Sequence, residues 1–269
     1  GLGGSRTRGL EAVPRQDRLT GRVEHQLSAM VPYTVPSTVP STAGAAGDWV
    51  IEHLHGDGAE FHDRVPGGSR ALWWLEVDRP LLALGSTQQF DRVDERVASA
   101  FGVSTVRRRS GGGGVLLLPG EFVWVDLVVP VDDALWDDDV GRAAHWVGSL
   151  WCEVLAGLGF AAKVHHGPMI KSRWSPQVCF SGTGPGEVLG ATGRKLVGIS
   201  QRRTRHWARF QTMCHLRWRP ELVAALVAAP RPRPEDIAAA AIALGGAENV
   251  ASPGPTARTV VAALVAALP

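Results

Sequence analysis

From Trp49 onward the chain alternates short apolar runs with polar breaks. "ALWWLEV" (71–77) and "PLLALG" (80–85) are short, bounded by turn-forming residues, and predict two strands with a turn between them. In "DRVDERVASAFG" (91–102), Val93, Val97 and Phe101 recur at helical spacing, and Gly102 suits a helix C-terminus. "VLLLPGEFVWVDLVVP" (115–130) reads as a strand pair turned at Pro119-Gly120, and 137–159 as the longest helix, with acids at its start and glycine at its end. A run of short strands follows at 161–166, 177–182, 186–193, 194–201 and 210–218. From about Pro220 the pattern is alanine-rich and helical, broken at "PRPRPED" (230–236) and "SPGP" (252–255). Strands interleaved with helices predict an α/β fold of the α+β type, a central mixed sheet flanked by helices.

Residues 1–47 break this pattern. "VPYTVPSTVPSTAGAAG" is rich in Pro, Ser, Thr and Ala, and the segment is expected to be disordered or loosely packed, with room for a short helix at 17–29. The expected division is therefore a tail (1–47), a catalytic-size domain (48–220) and a small helical region (221–269).

Composition narrows the picture only slightly. The chain has 269 residues, 45% hydrophobic and 20% charged, with a formal net charge of +2, which is an ordinary globular balance. A bulk charge this small gives no reason to expect a nucleic-acid partner, and no module for one is present. Three cysteines without a CxxC pair point to a reducing, cytoplasmic setting. No apolar run approaches the roughly 18–20 residues of a membrane span, and no signal peptide is expected at the start.

The chemistry is concentrated in two stretches. In "RRRSGGGG" (107–114), three arginines run into Ser110 and four glycines, directly before an apolar strand. Glycine lets a backbone approach a ligand closely, and arginine adds bidentate, charge-assisted hydrogen bonds, so an anion is expected against this loop. The pattern is neither a P-loop nor a dinucleotide fingerprint. In "GRKLVGISQRRTR" (193–205), Lys195 opens a strand, where a buried ammonium must be paired or used. A second arginine group, Arg202, Arg203, Arg205 and Arg209, also suggests a local anion site. His165-His166 lacks companions at ligand spacing, so no metal site is expected. Cys152 and Cys214 read as packing residues, and the ten tryptophans as core and groove wall.

Together the two stretches resemble the lipoate–protein ligase family, in the group that also holds biotin ligases and octanoyltransferases. Arg107–Val115 follows that family's Arg-Arg-x-Ser-Gly-Gly-Gly-Ala-Val loop with one Ala-to-Gly change, and Gly193–Gln201 stands in register with its lysine motif. "LLALGSTQ" is similar to the family's Gly-x-x-Gln strand end, which places Gln88 near the entrance. The resemblance covers about residues 48–220. It implies a narrow acyl tunnel in which ATP and lipoate or octanoate form an acyl-adenylate. The acyl group then passes to a lysine of a lipoyl domain in a 2-oxoacid dehydrogenase subunit or a glycine-cleavage carrier. Lys195 would contact phosphate and acyl carbonyl. Arg108, Ser110, Gly111, Gly112, Gly113 and Gly114 would hold the nucleotide and line the tunnel, with Gly198 and Ser200 beside them and Mg2+ accompanying the phosphates.

This chain departs from the family in two places. Leu116–Leu118 replace an aromatic-His-Asp sequence, and Arg209, Phe210 and Gln211 stand where a His-His-Gly-Thr stretch would fall. "VCFSGTGPGEV" resembles a branch in which cysteine is the nucleophile and no ATP is needed; Cys179 then accepts the acyl group as a thioester, and Glu187 orients the loop. A member of the fold that binds an acyl or nucleotide ligand without turnover is the third reading.

Overall fold

The computed structural model describes residues 48–246 and 254–269. The expected tail 1–47, with its short helix at 17–29, lies outside the described residues.

Two long apolar strands make the centre. β6 (Phe122–Pro130) and β10 (Trp207–His215) pair antiparallel over nine residues. Around them a seven-stranded sheet runs in the order β1-β2-β6-β10-β9-β8-β7, with β1 (Val50–Gly56), β2 (Ala71–Val77), β7 (Ala162–Val164), β8 (Val188–Gly190) and β9 (Lys195–Arg203). β1 and β2 are parallel, whereas the remaining neighbours are antiparallel. The sheet is therefore mixed, as the sequence predicts.

Period-two alternation sorts its side chains. Leu72, Trp74, Val123, Val125 and Leu127 face a core shared with α3 (His145–Gly157) and α6 (Ala257–Ala266), including Trp151, Leu155, Val260 and Leu264. Ala71, Trp73, Leu75, Trp124 and Val128 face the other way, onto a second core. Each large side chain so buried stabilises by about 1.5–3 kcal/mol, which fixes the register.

That second face carries a small sheet, β4 (Ser104–Arg107), β3 (Leu81–Leu84) and β5 (Val115–Leu117), in the order β4-β3-β5. The expected strand pair at 115–130 is corrected here: β5 and β6 belong to different sheets, and β5 pairs with β3. Leu116, Leu117 and Leu118 are all buried, so this segment needs apolar cover on both faces and cannot sit as a half-wet hairpin arm. β2 and β3 also part into the two sheets.

Other boundaries shift for local reasons. The helix expected at 91–102 becomes a 3₁₀ turn, Phe90–Arg92, and α2 (Glu95–Ala100), because the Asp94 carboxylate accepts the Val97 N–H and starts the helix there. The helix expected from Asp137 begins at His145; Asp139 instead caps a turn through Gly141 and Arg142, so the acids are turn residues rather than a helix start. The strand expected at 177–182 is a 3₁₀ turn, Cys179–Ser181, joined to the glycine loop by one bridge between Gly114 and Val178. α1 (Gly58–Asp63), capped by Asp57, packs on β2. The C-terminal stretch contains α4 (Pro220–Leu226) and α5 (Pro234–Ala238), both opened by proline, and then α6.

Candidate acyl-binding site

Between the second face of the large sheet and the small sheet lies a cavity of about 440 Å³, counted to its open mouth. Ala83, Val115, Leu117, Trp124, Phe180 and Met213 make its apolar wall. Its polar wall is built by Arg108, Cys179, Ser200, Gln211 and His62, with Gly198 between. An apolar slot with few convergent polar groups is the usual form of a small-molecule site.

Arg108 leaves the end of β4 and turns inward. It is 5% exposed, yet no carboxylate lies within ion-pair distance among the described residues. Its Nη1 donates to Ser110 Oγ and Ser200 Oγ, both at 2.9 Å, and its Nη2 to the Gly113 carbonyl at 3.0 Å. Nη2 also lies 3.6 Å from the Cys179 Sγ, and Nε has no partner. A buried cation held only by neutral oxygens and a thiol keeps most of its charge for an incoming anion.

The glycines make this arrangement possible. A Cβ on Gly113 would sit 2.6 Å from the Cys179 nitrogen and 2.7 Å from the Val178 carbonyl carbon, so only glycine lets the loop touch the cysteine turn. Gly112 has a φ of 100°, a backbone region that favours glycine. The Gly114 N–H donates to Gln177 O, and the Cys179 N–H donates back to Gly114 O. Gly111 lies exposed, with open space around it.

The predicted residues thus fall into two groups. Arg108, Ser110, Gly113, Cys179, Gly198 and Ser200 converge on the cavity or on Arg108 itself. Gln88 does not line it: its amide donates to the Pro176 and Gln177 carbonyls and accepts the Gly85 N–H, which ties the turn after β3 to the segment before the cysteine turn. Lys195 is also absent from the wall. It is 2% exposed, its ammonium held by Glu187 at 2.8 Å and by the Cys179 carbonyl at 3.1 Å. It lies 5.1 Å from the ring centre of Phe180, a wall residue. Glu187 further accepts the Gly184 and Ile199 N–H groups, so the expected loop-orienting role fits its contacts.

The second arginine group divides. Arg209, fully buried, is paired with Asp126 (Nε to Oδ2, 2.6 Å) and donates to the Phe61 and Arg64 carbonyls. Its charge is consumed internally, which corrects its expected place in an anion site. Arg202 and Arg203 lie over Trp207 and Trp136.

Sequence reasoning missed His62. It sits on α1, between the two carbonyls that Arg209 holds, and no spacing singled it out. It lines the cavity beside Trp124, ring centres 4.7 Å apart, and burial, then Arg108 and Arg209, lower its pKa to about 3. Among the described residues no cluster of three His, Cys, Asp or Glu could hold a metal, and the cavity wall carries no carboxylate for Mg2+. No helix among the described residues is long and apolar enough to cross a membrane.

The fold is similar to the bipartite lipoate protein ligase of an archaeal lipoylation system from Thermoplasma acidophilum, at 17% identity and a TM-score of 0.60, covering 82% of each chain. A lipoate-protein ligase A bound with ATP superposes at a TM-score of 0.61 with 15% identity, over 82% of this chain and 83% of that one. A T. acidophilum protein described as a putative lipoate protein ligase, with bound lipoic acid, gives 0.57 at 15% identity, over 82% and 83%. No curated protein sequence matches. The family described as the lipoyl protein ligase A/B catalytic domain matches residues 54–265, and with most of the chain inside that match, this protein belongs to the lipoyl protein ligase A/B family.

Proposed function

We propose that the chain attaches a medium-chain acyl group, lipoyl or octanoyl, to a lysine of a lipoyl-carrier domain, and that Cys179 carries the acyl group in between. The observation that carries this reading is the Arg108 guanidinium: buried, free of any carboxylate partner among the described residues, and 3.6 Å from a thiol on the wall of an apolar cavity. The relatives' names supply the acyl class and the carrier, since they are lipoate ligases, one studied with its E2 lipoyl domain.

In the first step the Cys179 thiolate, facing Arg108, attacks the carbonyl of an acyl thioester; the new C–S bond forms as the donor thiolate leaves and takes up a proton. In the second step the neutral amine of the carrier lysine attacks the enzyme thioester, the amide forms, and the Cys179 thiolate departs as the amine loses its proton. Arg108 and nearby N–H groups offset the charge on the oxyanion in both steps. Lys195 positions the turn through the Cys179 carbonyl.

Direct use of ATP is the second reading. The exposed backbone of Gly111 and Gly112 and the similarity to an ATP-bound ligase favour it. There the same loop would hold the phosphates, ATP would supply the activated carboxyl, and Lys195 would have to leave Glu187. Mg2+ finds no carboxylate on the cavity wall, so no step is assigned to it.

One experiment separates the routes. Purified protein is mixed with octanoyl-CoA, and in a parallel arm with octanoate, ATP and Mg2+, each arm with and without a lipoyl-carrier domain. An adduct of octanoyl mass that is absent in Cys179→Ala supports the thioester route. Pyrophosphate exchange that survives Cys179→Ala moves the activity to the ATP route. Neither signal, with the carrier lysine also unmodified, overturns acyl transfer altogether.

A further inference from the structure

The polar wall is a directed chain of hydrogen bonds. Ser200 Oγ accepts from Arg108 and donates to Ser110 Oγ at 3.1 Å. Ser110 Oγ therefore accepts twice, from Arg108 and from Ser200, and its own proton must go to Gln211 Oε1 at 2.7 Å. That sets the Gln211 amide with its nitrogen pointing away, toward His62 Nδ1 at 3.4 Å. Nδ1 is then an acceptor. In a neutral imidazole the single proton must sit on Nε2. The Nε2–H has no acceptor among the described residues, although the side chain is 6% exposed and lines the cavity.

A buried donor without a partner is costly, and sites built this way reject ligands that lack the matching acceptor. His62 is also poorly suited to be a base, because burial and two flanking arginines keep it neutral down to about pH 3. A neutral imidazole kept as a donor is a known device of binding sites.

We propose that His62 forms a polar subsite in the acyl cavity, its Nε2–H donating to an oxygen or sulfur acceptor borne on the acyl chain, so that the site prefers such a chain to its plain saturated counterpart. Three side chains in series, Arg108, Ser110 and Gln211, link the cysteine end of the wall to His62, so the acceptor belongs to the chain rather than to the reacting carbonyl. The inference rests on the cavity being the acyl site and adds which acyl groups it selects.

The test measures binding of octanoate, lipoate, 6-hydroxyoctanoate and 8-hydroxyoctanoate to the full chain by calorimetry. At least one acceptor-bearing acid is expected to bind about tenfold more tightly than octanoate, as one satisfied buried donor implies. The preference should collapse in His62→Phe and persist in His62→Gln, which keeps a donor. Nitrogen-15 spectra of labelled histidine should show the Nε2–H tautomer at His62, with that signal moving on binding of the preferred acid and less with octanoate; this readout stands even if His62→Phe fails to fold. Equal affinities in the wild type, a preference that survives His62→Phe, or an Nδ1–H tautomer would each overturn the subsite. Failure of every acid to bind would instead strike at the acyl site itself.

Discussion

Two arginines, Arg108 and Arg209, are buried side by side in sequence logic but opposite in chemistry. Arg209 stands on β10, fully buried, with the Asp126 carboxylate on the neighbouring strand and the carbonyls of Phe61 in α1 and of its C-cap Arg64 on its other nitrogens. Arg108 stands at the end of β4, nearly as buried, and meets two hydroxyls, a carbonyl and a thiol. The first is a closed account of charge and holds α1 against the sheet. The second leaves a cation waiting beside a cavity. A buried arginine is thus a structural brace or a ligand anchor according to whether a carboxylate answers it, and only the folded chain tells which.

The largest expected effect breaks the closed pair. Arg209→Met leaves Asp126 buried with the Trp124 indole as its remaining side-chain hydrogen-bond donor, and should cost about 3–5 kcal/mol, or roughly 6–20 °C in thermal melting. Asp126→Leu combined with Arg209→Met should recover much of that loss, because no uncompensated charge remains. A double variant as unstable as the single one would show that α1 docking, rather than charge pairing, is what Arg209 supplies.

This contrast also marks what the sequence could and could not disclose. Strands such as β2, β9 and β10 were legible because their apolar residues alternate or run continuously. The glycine loop and Lys195 motif were legible as local spacing. Arg209 reads like its arginine neighbours in the sequence because its carboxylate partner is 83 positions away. The expected hairpin at 115–130 failed for a similar reason: the partner of β5 is β3, chosen by two-sided burial of three leucines rather than by proximity in the chain. His62 left no trace in the sequence at all, since its meaning comes from three elements that meet around it.

A smaller effect runs through that histidine, which feels both arginines. His62 and His215 each have a pKa lowered to about 3 in the fold, chiefly by burial, against 6.5 when unfolded. Below pH 6.5 the unfolded chain takes up protons that the folded chain refuses, so stability is full above pH 6.5 and falls as pH drops toward 3. Each histidine adds up to about 1.4 kcal/mol per pH unit, or about 2 kcal/mol between pH 6.5 and 5. Urea unfolding at several pH values should show this slope, and His62→Gln should remove His62's share. A slope unchanged in that variant would mean that His62 is not held neutral by its surroundings.

The smallest change in stability is expected where the charge is unanswered. Arg108→Met gives up hydrogen bonds to Ser110, Ser200 and the Gly113 carbonyl, worth about 1 kcal/mol each, but it also removes the cost of a buried cation without a carboxylate. The two contributions oppose each other, so the net shift should stay within about 1 kcal/mol, well below that of Arg209→Met. What should vanish is the stabilisation that octanoate confers on the wild type, because a carboxylate in the cavity would lose its one cationic partner there. Thermal melting with and without octanoate reads both quantities at once. A loss of stability as large as that of Arg209→Met, with the octanoate shift intact, would make Arg108 a second brace and leave the cavity without its anchor.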